Sequence, residues 1–397
     1  MSWLKAIWSG LTAKDDQLYR SWDEAQSAAG EAVNARSVLG LSTAWACVTM
    51  LGGTIGSLSR EVYQKKDGIR VPMGDHPLQR VLDDPNADQT PIDFWEMMVL
   101  SLELWGNAFA EIERNREGTV IAMVPIRPDT MRVKRTTSGA LKYNWNDGKD
   151  RERGEGDILH IRGNGGDALG GMSTIAWNRN TFGSAQAIEK ASSATFRNGV
   201  RSTGAFISER DLTKQQMADL QDRVSLKHMG ALNTGRPLFL NNGLKWQPIS
   251  FNPEEAQMLE SRGFSVEEIC RVFGVPPFAV GHTEKVTSFG SGLEQQLLWF
   301  QKTALSKRAK KIEQSIRKQL MTPEDRRAGF GVRHNFEDFL RADSKARAEF
   351  YKVMLDSKVY TINEVRGLEG KPPVAWGDAP WVQMQDHQIG EKPEDEE

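Results

Sequence analysis

VPPFAVGHTEKVTSFGSGLEQQLLWF, residues 275–300, sets a glycine-rich polar loop between two apolar stretches. The lysine, serines and threonines among its glycines resemble a phosphate cradle, so the flanks decide the reading. Upstream, NPEEAQMLESRGFSVEEICRVFG (252–274) has helical periodicity, with Asn252 as N-cap and Pro253 at N1. It stops at Pro276-Pro277, because two prolines cannot continue a helix. Downstream, Leu293, Leu297, Ala304, Ile312, Ile316 and Leu320 mark one face of a helix over 293–320, about 42 Å long at 1.5 Å per residue. A P-loop needs a preceding strand and a lysine directly after its second glycine. Here Lys285 is followed by Val286 and both flanks are helical, so the segment is a loop between helices and not a nucleotide cradle.

Working outward, the rest of the chain reads as α+β. LSTAWACVTMLGGTIGSLSREVYQ (41–64) starts helical and turns extended at Arg60–Gln64; IRVPM (69–73) is a short strand. Two helices follow within 75–114, divided at Pro85-Asn86, the second opened by Thr90 and Pro91 as N-cap and N1. Strands are expected at Ala108–Arg114, Thr119–Ile126, Thr130–Arg135, Leu141–Trp145 and Asp157–Arg162, punctuated by glycine turns that indicate antiparallel hairpins. A helix is expected over Ser173–Asn198, closed by Gly199. Residues 204–250 read as a strand–helix–strand–strand insert, and a strand over 331–338 and helices over Ser344–Ser357 and Thr361–Gly367 lead to an acidic tail. Residues 1–40 hold Trp3, Trp8 and Trp22 but nothing expected to bury a core, and read as an arm.

Composition excludes much. With 39% hydrophobic and 26% charged residues the chain reads as globular, and a formal charge of −2 gives no global attraction to nucleic acid. Twelve tryptophans hint at subunit contacts besides cores. Cys47 and Cys270 lie in separate apolar patterns and read as two buried thiols of an intracellular protein. No stretch of 18 apolar residues predicts a membrane helix, and the N-terminus is too broken for a signal peptide. Six scattered histidines form no metal pattern, no nucleophile elbow is present, and neither enzyme activity nor a cofactor is expected. Gly163, Gly165 and Ala168 of GNGGDALGG (163–171) fit the dinucleotide fingerprint, but position 188 onward lies in a helix where a second strand is required. A flexible glycine joint is the preferred reading; a nucleotide-dependent enzyme built on it is the runner-up.

One local signal stands out. In the helix 293–320 the bases Lys302, Lys307, Arg308, Lys310, Lys311, Arg317 and Lys318 face only Glu294 and Glu313, an excess of five positive charges. Such a surface suits an acidic partner subunit or a phosphate backbone, beside the plainer reading of a solvated face. A monomeric nucleic-acid module using this helix is a third reading.

The order of elements, with STAWACVTMLGGTIGSL (42–58), DHPLQRVLDDPNADQTPIDFWEMMVLSLELWGNAFAEI (75–112), DILHIRG (157–163), GRPLFLNNGLKWQPIS (235–250), PEEAQMLESRGFSVEEICRVFGVPPFAVG (253–281), LEQQ (293–296) and TINEVRGLEGKPPV (361–374), resembles portal proteins of tailed bacteriophages of the HK97 type. The resemblance implies a homo-oligomeric ring, typically a dodecamer, at one capsid vertex of the virion, assembled in the host cytoplasm. Double-stranded DNA is packaged and ejected through it without sequence reading, and its partners are the terminase large subunit, the major capsid protein and the head–tail adaptor. The implied domains are an arm (1–40), a wing (41–170), stem helices (171–202 and 251–278) around a clip (203–250), a tunnel loop (279–292), a long helix returning to the wing (293–343), a crown (344–381) and a tail (382–397). Gly281, His282, Thr283, Glu284, Lys285, Thr287, Ser288, Gly290 and Gly292 then fall in the tunnel loop. Lys302, Lys307, Arg308, Lys310 and Lys311 form a basic face toward DNA or a neighbouring subunit. Lys214, Arg223 and Lys227 of the clip helix would meet terminase or adaptor.

Overall fold

A computed structural model describes residues 26–198, 204–208, 215, 244–248, 253–283, 291–336 and 344–379. Contacts divide the chain into a unit ending at Arg333 and a second starting at His334.

The first unit opens with α1 (Ala35–Leu39) and α2 (Ser42–Ser57), then β1 (Arg60–Lys66) and β2 (Ile69–Pro72). The expected arm is a correction in part. From Gln26 the backbone bridges to Ala32, and Val33 and Val38 are buried. Trp3, Trp8 and Trp22 lie outside the described residues. Helix α2 contains three glycines, a composition with poor intrinsic helicity. It is held by close packing on α4 (Pro91–Trp105): a Cβ at Gly52 would sit 2.4 Å from Leu100 Cδ1. Its C-terminal carbonyls at Ile55 and Gly56 accept from the buried Arg60 guanidinium, which stacks 4.8 Å from the Trp95 ring. Between them α3 (Pro77–Asp83) takes its N-cap from His76 Nδ1. As expected, α4 starts with Thr90 and Pro91, completed by a capping box with Asp93.

The strands β3 (Asn107–Arg114), β4 (Val120–Ile126), β5 (Arg132–Arg135), β6 (Leu141–Asn146), β7 (Asp150–Gly154) and β8 (Ile158–Arg162) form two antiparallel sheets ordered β4-β3-β8 and β5-β6-β7. Strand β7, DRERG, escapes a reading by apolar alternation because all five residues are exposed. Phe109, Ile126, Leu141, Tyr143, Trp145 and Ile158 form the core between these sheets. The expected helix over 173–198 is broken at Asn178 into α5 (Thr174–Trp177) and α6 (Arg179–Asn198). Ser173 is the N-cap of α5: its hydroxyl donates to Leu104 O and accepts from Ala176 N.

β9 (Gly204–Ser208) and β10 (Leu244–Pro248) pair antiparallel, and α7 (Pro253–Phe273) follows alongside α6. α8 (Ser291–Phe300), a π-helical turn (Gln301–Leu305) and α9 (Ser306–Gln319) make up the expected long helix; α10 (Pro323–Arg327) and β11 (Phe330–His334) complete the run, β11 joining β1 and β2 in one sheet. The π turn is a departure from the uniform helix expected. Its extra residue shifts the buried stripe, so Phe300, Ala304 and Leu305 are buried while Leu297 is exposed. Of the expected strand over 331–338, β11 takes in 331–334 and residues 335–336 are not strand, while 337–338 lie outside the described residues.

In the second unit α11 (Ser344–Asp356) and α12 (Ile362–Leu368) are joined by ion pairing of Arg347 with Glu369, and a Thr361–Glu364 capping box opens α12. Asn363 pins the following chain, accepting from Val374 N and donating to Val374 O and Asp378.

Candidate functional site

Three sets of residues carry the functional expectations. In the loop after α7, Gly274 and Gly281 adopt left-handed φ of 69° and 83°, which turns the chain out of the helix, through a 3-10 turn at Pro277–Val280. His282 N donates to Pro277 O, and the His282 ring lies 3.8 Å from Glu267. His282 is thus held against α7, Gly281 and Thr283 beside it are exposed, and Gly292 lies in α8; Glu284, Lys285, Thr287, Ser288 and Gly290 fall outside the described residues. So do Lys214, Arg223 and Lys227 of the insert.

The basic helix is the informative set, because its bases separate into two groups. Arg308 turns inward and is largely buried. Its Nε and Nη2 meet the two carboxylate oxygens of the buried Glu103 at 2.6 and 2.8 Å, and Nη2 also donates to Phe273 O at 2.8 Å. One guanidinium therefore binds α4, α7 and α9 together by a bidentate, charge-assisted pair. Lys311 also turns inward, donating to Gly163 O at 2.5 Å and reaching Arg162 O at 3.5 Å. Burial, with Lys307 as the nearest like charge, lowers its ammonium from the ordinary lysine range. Lys302, Lys307 and Lys310 are exposed, Lys310 pairing with Glu313 on its own helix. The structure thus separates the five bases rather than gathering them on one face.

Beneath Lys311 lies a buried polar knot that sequence reading missed. Asn107 Oδ1 accepts from Gly171 N at 2.8 Å and meets His160 Nε2 at 2.9 Å, while Asn107 Nδ2 donates to Gly171 O and Trp105 O. Since Oδ1 can only accept, His160 carries its proton on Nε2, and its Nδ1 accepts from Tyr143 OH at 3.3 Å. Burial, reinforced by Arg162, lowers the His160 pKa well below its ordinary value, keeping the ring neutral. Gln319 of α9 closes the arrangement on both the N–H and the carbonyl of His160.

The segment 163–171 is correspondingly not the flexible joint expected. Gly163 N donates to Gly106 O, Asp167 N to Gly170 O and Met172 N to Asn164 O. A Cβ on Gly171 would lie 2.3 Å from Gly106 O and 2.4 Å from Gly163 N. The glycines are there for close backbone approach, which freezes the turn. The same contacts count against the runner-up: the amides of Gly163, Asp167, Leu169, Gly170 and Gly171 are engaged internally, and β8 pairs antiparallel to β3 where that fold needs a parallel strand. Glu103 had a detectable signal, a lone carboxylate inside the apolar run MMVLSLELW (97–105), which demands a buried partner. Among the described residues no group of three or more metal-ligating side chains occurs, and no helix is long and apolar enough to cross a membrane.

Comparison with known proteins assigns this architecture. A family model described as phage portal protein matches residues 42–370. The chain is 33% identical over 357 residues to the portal protein of Enterobacteria phage HK97, covering 89% of this chain and 84% of that one. It is 30% identical over 387 residues to the probable portal protein of Streptomyces phage phiC31, covering 93% and 83%. It also resembles a chain in the neck of a native gene transfer agent particle computed with C12 symmetry, with a TM-score of 0.58 at 21% identity, covering 85% and 92%. The polar knot and the glycine turn lie inside the matched region, and the chain belongs to the HK97-type phage portal protein family.

Proposed function

We propose that the chain forms a homo-oligomeric ring, a dodecamer in the capsid, that passes double-stranded DNA at one vertex during packaging and ejection. Family membership over 42–370 is the observation that carries this reading, and the portal role itself follows from it. Helices α6 and α7 serve as the stem, the insert 203–250 as the clip, 41–170 with β11 as the wing, and 344–381 as the crown. The clip, with Lys214, Arg223 and Lys227, docks the terminase large subunit and later the head–tail adaptor, while the wing meets the major capsid protein. No chemistry is assigned to the ring; ATP hydrolysis belongs to the terminase.

Residues 279–292 serve as the tunnel loop. B-DNA carries about one charge per 1.7 Å, so a bore lined by many fixed lysines would hold the duplex and make release strongly salt-dependent. Lys285 next to Glu284, with Thr283, Thr287 and Ser288, makes a polar rim that interacts weakly. Lys302, Lys307 and Lys310 are the bases left facing outward and serve as the contact for DNA or for a neighbouring subunit.

Negative-stain imaging of the purified protein tests the reading. An end-on ring with a central hole about 20–40 Å wide suits duplex passage. A uniform monomer of 44.5 kDa over the full concentration range would overturn it.

A further inference from the structure

Cys47 and Cys270 are the chain's two cysteines and stand 223 positions apart, yet α2 and α7 bring their Sγ atoms to 3.9 Å. Both are buried, at 0% and 1% exposure, beside Val48, Leu51, Ile269 and Phe273 in their own helices. Nothing in the portal role uses them.

We propose that Cys47 and Cys270 are an oxidisable dithiol, a modification site that forms an intramolecular disulfide joining α2 to α7. A disulfide needs its sulfurs at about 2.05 Å, so about 1.9 Å must be closed, shared between two side chains that each rotate about χ1. The hydrogen bond between the thiols favours one thiolate: it draws Cys270 down and, with burial, pushes Cys47 up. Either sulfur can attack; with Cys270 attacking, Cys47 is the resolving thiol.

Burial restricts the oxidant to a small one, and hydrogen peroxide balances the reaction. The Cys270 thiolate attacks a peroxide oxygen, the O–O bond breaks, and hydroxide leaves, giving a sulfenic acid. Cys47 sulfur then attacks the Cys270 sulfur; the S–O bond breaks, the S–S bond forms, and the hydroxyl departs as water with the Cys47 proton. In sum two thiols are oxidised and one peroxide is reduced to two waters. Helix α7 leads directly into the turn at Gly274–Thr283, so the bond ties the root of the tunnel loop to the body of the subunit. This consequence rests on the portal reading, under which subunits assemble in a reducing cell and leave it in the particle.

The test uses the purified full-length protein, treated with hydrogen peroxide, unfolded in N-ethylmaleimide and weighed intact. The expected product is about 2 Da lighter than the unmodified chain, takes no label, and yields a peptide pair linking Cys47 to Cys270. Closing so long a loop should raise the unfolding temperature by roughly 5 °C or more, reversed by dithiothreitol and absent in Cys47→Ser. Two labels on the peroxide-treated wild type, or oxygen added to single cysteines without a cross-link, would overturn the proposal. Imaging the same sample keeps the two readings apart: rings without the disulfide sink only this one, and a disulfide in monomers sinks only the portal reading.

Discussion

The two sides of the helix running from Gln301 to Gln319 carry bases of the same kind and put them to opposite use. On the inner side Arg308 and Lys311 spend their donors on Glu103, Phe273 O and Gly163 O. On the outer side Lys302 and Lys307 are exposed. A run of positive charge is therefore not one property. Arg308 and Lys311 cement the subunit, Lys310 pairs with Glu313 on its own helix, and Lys302 and Lys307 are left to act on a partner.

The largest expected effect comes from breaking the inner side. Replacing either Glu103 or Arg308 by alanine leaves the other charge buried, which costs about 3–5 kcal/mol. Chemical denaturation of each single variant measures it. Exchanging both for apolar residues, Glu103→Leu with Arg308→Met, should recover most of the loss; a double variant as weak as the singles would mean that the pair does more than neutralise itself.

Next in size is the turn that receives Lys311. Gly171→Ala puts a methyl group into the Gly106 and Gly163 backbone and should cost about 1–3 kcal/mol, read as a lower denaturation midpoint. An unchanged midpoint would show that the turn yields after all.

A third, pH-dependent effect arises at the knot below. His160 resists protonation when folded, whereas the unfolded chain takes up its proton near pH 6.5. Its contribution to stability is therefore whole above about pH 6.5 and drains as pH falls, by at most about 1.4 kcal/mol per pH unit. His160→Gln should flatten this part of the stability–pH curve by one proton. An identical slope in both proteins would refute the buried neutral ring.

The smallest effect on stability belongs to the outer side. Lys302→Ala with Lys307→Ala should move stability by no more than about 0.5 kcal/mol per site. If these bases meet phosphate, DNA retention should weaken and the slope of log K against log salt should fall by about 1 per lysine. Unchanged retention together with impaired ring formation would assign them to a neighbouring subunit instead.

Much of the fold could be read from the chain. Pro276-Pro277 ends a helix wherever it stands, Thr90-Pro91 starts one, and β6 shows strict alternation as LKYNWN. What failed did so for physical reasons. DRERG has no apolar residue to reveal a strand, which pairs its backbone with β6 and its Arg151 and Arg153 with Glu111 of β3. The π turn adds one residue to a helix without any proline or glycine to mark it. GNGGDALGG reads as loose because glycine's freedom is visible in sequence, while the backbone that approaches it is not.

The candidate site divides along the same line. Residue identity alone determined the charge excess of helix 293–320, the failure of Lys285 as a P-loop lysine, and the absence of any nucleophile or metal pattern. Only tertiary structure decided which bases turn inward, that His160 meets Asn107 and Tyr143, and that Cys47 reaches Cys270 from 223 positions away. Propensity, capping and charge count act over a few residues and are written locally. Burial and partner choice are set by segments far apart in sequence, and they exist only once the helices and sheets have closed on each other.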